Sequence, residues 1–316
     1  MDESRSRVAV MGAGAVGCYY GGMLALSGVP VTLVGRVEHV DAIARNGLAI
    51  VRDDRRDVVE VAATTHVAGV ADADVILVCV KSPDTIAAAK AMKPHLRGDA
   101  VIVSLQNGVS NADALLATVD HVVLAAAVWV GAYMEGPGVV RHTGRGDLIL
   151  GVTRDGAHRG DARTRARDVA TMFESASVGC PVADDVEQVL WRKLAINCAF
   201  NAVSALGRSR YGRMARDPAT REVMAAAVRE TVAVARASGI ALDSDEMLAA
   251  VWRTADALPT QYSSTAQDIL RGRATEIDML NGYVAQRGDE LGLATPVNRT
   301  LHALVRLREA GDDLAG

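Results

Sequence analysis

Aromatic side chains are almost missing from this chain: phenylalanine, tyrosine and tryptophan make up 3% of its 316 residues. Half of the residues are apolar, so a core must be packed mainly with alanine, valine, leucine and isoleucine. Cysteine is also scarce. Cys18, Cys79, Cys180 and Cys198 form neither a Cys-x-x-Cys pair nor a Cys/His cluster at metal-ligand spacing. That leaves no disulfide framework and no metal site to read, and it fits a reducing cytoplasm. Cys79 lies inside an apolar run and reads as a small core hydrophobe. The seven histidines are scattered, with no His-x-x-x-His pair. Nor is there an excess of positive charge. The formal net charge is −4, and acids interleave with the frequent arginines, so nothing points to a nucleic-acid partner. One apolar stretch, Val8–Val29, mimics a signal peptide or membrane span. Gly12, Gly14, Gly17, Gly21 and Gly22 interrupt it, and Asp2 and Glu3 offset Arg5 and Arg7 ahead of it. The expectation is therefore no membrane segment.

What is present is an ordered succession of elements. The length suits two domains. Val8–Met11, Val31–Val34, Val75–Val80, Val101–Leu105 and Val122–Val130 are continuous apolar runs that suit parallel strands buried on both faces. Helical patterns alternate with them at Gly14–Leu26, Val40–Arg45, Ala87–Met92 and Arg163–Ala176. Asn46–Gly47 and Pro94 act as stops. Val139–His142 and Leu148–Val152, separated by Gly144–Gly146, read as a hairpin closing the sheet, with a further strand near Pro181–Val182. From about Asp184 strands give way to helices, including Val189–Leu206, Pro218–Ser238, Ser244–Ala255 and Glu276–Leu291, punctuated by Gly207, Gly239, Gly292 and Pro296. The expected fold is α/β: a Rossmann-type, doubly wound parallel sheet over residues 1–183, followed by an all-α domain over residues 184–316. No flexible linker separates them, which predicts tight packing with a cleft between.

Gly12-Ala13-Gly14-Ala15-Val16-Gly17 has the form G-x-G-x-x-G between a strand and a helix. Gly12 allows the tight turn, Gly14 a close approach to a pyrophosphate, and Gly17 close helix–strand packing. The helix N-terminus then offers N–H groups and partial positive charge to phosphates. The second strand ends Val34-Gly35-Arg36 without an acid at its tip. Arg36 can pair with a 2′-phosphate, which favours NADP over NAD; the plainer alternative is a solvated loop arginine. Lys81 and Asn107 follow the ends of two central strands, where α/β sheets bind ligands. They can equally be a surface lysine and an Asn-Gly turn.

Lys193, Asn197 and Asn201 recur every four residues in a mainly apolar helix and so share one face. Polar groups on a buried face require partners, and a ligand would supply them. The alternative is a solvent-exposed stripe. Further on, Thr275 or a neighbour can cap the helix expected there, with Glu276 in its first turn, and Ser264 can be an ordinary cap residue.

Taken together, these segments resemble the ketopantoate reductase (2-dehydropantoate 2-reductase) family, from residue 7 to about residue 305. The matching pieces are the Gly12–Gly17 turn, Gly35-Arg36, Val80-Lys81, Gln106-Asn107-Gly108, Gly138–Gly144, Leu190–Asn201 and Thr275-Glu276-Ile277-Asp278. The resemblance implies an NADPH-dependent oxidoreductase that reduces the C2 carbonyl of 2-dehydropantoate to pantoate, in pantothenate and coenzyme A biosynthesis. It implies that Lys193 is the general acid and that Asn197 and Asn201 bind substrate. Ser264 holds the substrate's carboxylate region, and Glu276 acts near substrate hydroxyl and cofactor. Asn107 serves substrate and nicotinamide, Arg36 and Lys81 take the 2′-phosphate, and a loop at Gly131–Ala132 lines the cofactor. Gln261 stands where some relatives have asparagine, which puts the identity of the keto acid in question. Two other readings remain: a reductase of another 2-keto acid, and a non-catalytic NADPH sensor. The expected partners are a small 2-keto acid and, as an open assembly, a homodimer.

Overall fold

The computed structural model describes residues 6–311, so the charges of Asp2, Glu3 and Arg5 lie outside the described residues. The chain forms two compact units, the first ending at Val186 and the second beginning at Glu187.

The strands of the first unit are Val8–Met11 (β1), Val31–Val34 (β2), Leu48–Arg52 (β3), Arg55–Val59 (β4), Ala62–Thr64 (β5), Val75–Val78 (β6), Val101–Ser104 (β7), Val122–Gly136 (β8) and Val139–Gly151 (β9). Its helices are Ala15–Leu26 (α1), Val37–Asn46 (α2), Thr85–Met92 (α3), Asn111–Leu116 (α4) and Ala162–Ser175 (α5). The strands join one mostly parallel sheet in the order β4-β3-β9-β8-β7-β6-β1-β2-β5. Every residue of β6 and of β7 is buried, as continuous apolar runs covered on both faces should be. Tyr20 of α1 and Phe173 of α5 are fully buried, and their rings meet edge to face at 5.8 Å. With so few aromatics, the surrounding core is aliphatic: Leu24, Leu33, Ile50, Leu77 and Val103.

Two expectations for the sheet are corrected. Val139–His142 and Leu148–Val152 are not the two arms of a hairpin. Val139–Gly151 is a single strand, β9, paired antiparallel with β8 from Ala125↔Gly151 to Gly136↔Val139. The reversal falls at Gly136-Pro137-Gly138, where Gly138 has φ +69°. Gly146 serves packing rather than turning: a Cβ there would lie 2.1 Å from the Tyr19 hydroxyl. Secondly, Gly131–Ala132 is not a loop. Both residues lie within β8, at an irregularity in its register with β9. The region near Pro181–Val182 contributes one bridge, Leu150↔Val182, rather than a strand. Strands β3, β4 and β5 add to the sheet that the apolar runs describe. The charged run from Arg52 to Asp57 hides the hairpin between β3 and β4, and Asp53 turns it at φ +49°.

The second unit contains Val186–Gly207 (α6, whose first residue closes the first unit), Tyr211–Arg216 (α7), Pro218–Ala237 (α8), Ser244–Ala257 (α9), Ser264–Leu270 (α10), Asn281–Glu290 (α11) and Pro296–Glu309 (α12). Local chemistry sets their starts. Asp217 accepts from Thr220 N at 2.8 Å ahead of α8, and Asp243 from Glu246 N at 2.9 Å ahead of α9, each satisfying an otherwise orphan donor. Pro296 opens α12 instead of ending a helix, in keeping with proline's fitness for the first turn. Glu276–Leu291 is not one helix. A 3-10 turn over Ile277–Met279 is followed by a break at Leu280, and α11 begins only at Asn281. Glu276 therefore precedes the turn, and Thr275 Oγ1 accepts from Ile277 N at 3.2 Å. Among the described residues, no helix is long and apolar enough to cross a membrane.

Candidate functional site

The parallel strands bring several predicted residues to one edge. Met11, Val34, Val78 and Ser104 are register partners across β2, β1, β6 and β7. The residues that follow them, starting at Gly12, Gly35, Cys79 and Leu105, therefore leave the sheet side by side at its carboxyl edge. The glycine turn, Arg36, Lys81 and Asn107 belong to these segments.

Steric limits shape the turn. Gly12 has φ +114°, and a Cβ on it would lie 2.7 Å from the Cys79 and Val80 backbone. A Cβ on Gly17 would lie 2.2 Å from Gly12 O. Gly12 N and Ala13 N both donate to Val34 O at 3.0 Å, and Gly35 fits against Ala13 only because it has no side chain. A Cβ on Gly14, by contrast, would meet no side chain or neighbouring segment within 4 Å. Gly14 caps α1, whose first turn (Ala15, Val16, Gly17) carries no acid. Open space before unpaired N–H groups at the positive end of a helix suits a phosphate, so this edge fits a dinucleotide. Arg36 caps α2 and is 79% exposed, with Glu38 Oε1 3.8 Å from its Nε. An exposed pair at that distance is weakly held, and a 2′-phosphate can displace it.

A buried polar network, which sequence reasoning missed, fixes the next two segments. Gln106 Nε2 donates to Val80 O at 3.0 Å and to Thr85 Oγ1 at 2.6 Å. Ser82 Oγ and Asn111 Nδ2 both donate to Asn107 O, at 3.1 and 2.7 Å. Lys81 and Asn107 are thus presented by backbone tied together from below. Polar residues sunk beneath strand ends were the available signal, but burial is not visible in sequence. Ala132 is carried by β8 rather than by one of these loops. Strand β7 ends opposite Ala125, and Ala132 belongs to the length of β8 that runs on past that point, paired with His142.

In the second unit, α6 carries Lys193 and Asn197, both half-buried, and Asn201, which is 3% exposed. None of the three is exposed, so the face is no solvated stripe. Burial lowers the Lys193 ammonium to about 8, and the charge of Glu276 acts the other way. Asn201 Nδ2 lies 3.5 Å from Ser264 Oγ, which brings the start of α10 to the same stretch of α6. The cap of α10 is Ser263 rather than Ser264. Ser263 Oγ accepts from Ala266 N at 3.0 Å and donates to Asn201 O at 3.2 Å, while Ser263 N donates to Ser204 Oγ at 3.2 Å. The capping bonds of Ser263 leave Ser264 exposed and facing Asn201. Gln261 is exposed. A cavity of about 240 Å³ lies beyond this region, among Arg208, Tyr262 and Arg308, and holds none of the predicted residues.

Among the described residues, no group of His, Cys, Asp and Glu could hold a metal ion. Cys18, Cys180 and Cys198 are buried, and burial pushes each thiol up to about 12; Cys79, half-buried, is raised for the same reason. Such thiols are inert.

Comparison with known proteins follows the same division of the chain. The family model described as "Ketopantoate reductase PanE/ApbA" matches residues 8–155, and the one described as its C-terminal part matches residues 185–309. The 2-dehydropantoate 2-reductase of Halobacterium salinarum is 36% identical over 309 residues, covering 96% of this chain and 99% of that one. The protein of that name from Pyrococcus abyssi is 32% identical over 304 residues, covering 96% and 98%. A PanE/ApbA family ketopantoate reductase from Ralstonia eutropha, known from its crystal structure, is 47% identical with a TM-score of 0.88, covering 96% and 98%. D-mandelate dehydrogenase, solved with NADH and anilino(oxo)acetate, is 25% identical with a TM-score of 0.88, again covering 96% and 98%.

Ser263 makes this geometry testable. Ser263→Ala removes the α10 cap, leaves Ala266 N without its acceptor and breaks the tie to Asn201 O, so it should lower stability by about 1–2 kcal/mol in urea unfolding. A loss below about 0.3 kcal/mol would show that the α6–α10 contact is held by other means.

Proposed function

The chain belongs to the ketopantoate reductase PanE/ApbA family, and from that premise we propose that it reduces 2-dehydropantoate to pantoate with NADPH. The observation that carries the reading is Lys193: a lysine brought to about 8 by burial, sharing a helix face with Asn197 and Asn201 and coupled to Glu276. A lysine at its ordinary value of about 10.4 releases a proton reluctantly at neutral pH. One near 8 is still mostly protonated there and is better matched to proton transfer.

The first unit holds the cofactor. The N–H groups of Ala15, Val16 and Gly17 in the first turn of α1 take its pyrophosphate, Arg36 and Lys81 its 2′-phosphate, and Asn107 its nicotinamide side. When bound, NADPH supplies a hydride to the substrate's C2 carbonyl carbon. The carbonyl oxygen gains negative charge as that bond forms. Lys193 Nζ donates a hydrogen bond to this oxygen, stabilises the charge and gives up its proton, leaving the C2 hydroxyl and a neutral amine that recovers a proton from solvent. Asn197, Asn201 and Ser264 bind the substrate's polar groups, with Ser264 at the carboxylate region. Glu276 orients the hydroxyl and keeps Lys193 protonated. In this reading the enzyme serves pantothenate biosynthesis in the cytoplasm.

A second reading, reduction of a different 2-keto acid, is favoured by the similarity to D-mandelate dehydrogenase and by Gln261. The chemistry assigned to Lys193 is the same in both.

Lys193→Ala should lower kcat by roughly 10²-fold or more without unfolding the chain; a near-normal kcat removes the acid role. The wild-type kcat should be level below about pH 7 and fall tenfold per unit above about pH 8, because the protonated amine is the reactive form. A flat profile to pH 10 would contradict it. Arg36→Ala should raise KM for NADPH far more than KM for NADH, and equal effects on the two would remove the 2′-phosphate assignment.

A further inference from the structure

The segment that carries Glu276 is not held by its own helix. It is a turn fastened to α12. Thr275 N donates to Glu309 Oε1 at 2.6 Å, and His302 Nε2 lies 2.6 Å from Asp278 Oδ1, with Arg306 at 3.6 Å from the same carboxylate. At the end of the turn, Asn281 Nδ2 donates to Asn298 Oδ1 at 2.9 Å. Asn298 is itself fixed: its Nδ2 donates to Ala227 O at 3.0 Å and to Glu230 at 2.8 Å. Glu230 also accepts the N–H groups of Val297 and Asn298, at 2.9 Å each.

Of these fastenings, the one at Asn281 reaches α6 as well. The same Nδ2 donates to Cys198 O at 3.2 Å, on the helix turn that carries Asn197 and Asn201. Two residues after Asn281, the ring of Tyr283 meets that of Trp191 at 5.9 Å, two residues before Lys193. Asn281 is 0% exposed, and its Oδ1 is buried without a hydrogen-bond partner. A leucine of similar size would avoid that uncompensated acceptor and would lose both donated bonds. The side chain's value lies in its amide N–H groups.

We propose that Asn281 is a positioning residue, tying the turn that bears Glu276 to α6 and so setting where Glu276 stands relative to Lys193. The catalytic meaning of this placement rests on the function proposed above. Glu276 is the charge that opposes the effect of burial on Lys193. Releasing the turn should weaken that opposition, so that Lys193 loses its proton at lower pH and kcat falls. A residue that only stabilised the fold would lower the unfolding midpoint and leave the titration of Lys193 where it was.

Lys81, Lys90, Lys93 and Lys193 are the only lysines in the chain, so incorporation of lysine labelled with 13C at Cε allows Lys193 to be followed by NMR, assigned by its loss in Lys193→Ala. The full-length wild type, Asn281→Ala and Glu276→Gln are titrated, with Asn281→Ser standing in if the alanine variant fails to fold. The Lys193 midpoint should fall in the Asn281 variant by roughly half a pH unit or more, in the same direction as in Glu276→Gln. The kcat for ketopantoate should drop at least about fivefold, with KM for NADPH unchanged. An unchanged midpoint in the Asn281 variants beside a shifted one in Glu276→Gln overturns the proposal. So does an unchanged midpoint in Glu276→Gln, which would leave no pair to position. The titration needs no substrate, so a wild type that reduces no keto acid refutes the functional reading and leaves this inference readable on its own.

Discussion

The second unit is organised around the electrostatic balance at Lys193. A half-buried ammonium is costly, and burial alone would drive it toward the neutral form. The carboxylate of Glu276 resists that drive. The outcome, a lysine near 8, is neither the permanently charged surface group of an ordinary lysine nor a neutral buried amine. Much of the surrounding polar structure bears on this balance. Asn201 and Ser263 sit in a buried framework with the exposed Ser264 beside it, and the Glu276 turn is fastened to α12 at Thr275, Asp278 and Asn281. A shift in any of these would alter a Coulomb interaction that decays with distance.

The first unit works by a different constraint, one of space. Its sheet ends in register, so the segments after β1, β2, β6 and β7 leave together. Each must avoid its neighbour: Gly12 passes the backbone at Cys79, Gly35 meets Ala13, and Gly17 lies over Gly12 O. Only Gly14 has open space before it. That open space lies before the positive end of α1, which suits a phosphate. The hydrogen bonds of Gln106, Ser82 and Asn111 stiffen the other half of the same edge.

Much of this was legible in the sequence, because the strongest signals were local. The runs at Val75 and Val101 are strands buried on both faces, and the glycine turn stands between a strand and a helix. Lys193, Asn197 and Asn201 do share one face of a single long helix. The misreadings come from residues whose role is set by distant partners. Gly144 and Gly146 look like a turn, yet Gly146 is a clearance for Tyr19 on α1. Glu276 looks like the first turn of a helix, yet His302 and Asn298, on α12, hold Asp278 and Asn281 in a broken backbone. Ser264 looks like a cap, but its neighbour Ser263 makes the bonds. Strand β4 was hidden because it is charged and lies at the sheet edge, where there is no apolar pattern to read, whereas β3 does carry a short buried apolar run, Leu48–Val51.

The proposed activity is the reduction of one particular 2-keto acid. The direct measurement is the loss of NADPH absorbance on mixing the wild-type protein with ketopantoate, beside pyruvate and 2-ketoisovalerate at equal concentration. Ketopantoate should be reduced with a kcat/KM at least roughly a hundredfold above either comparator. Tight binding of NADPH without turnover of ketopantoate would contradict it.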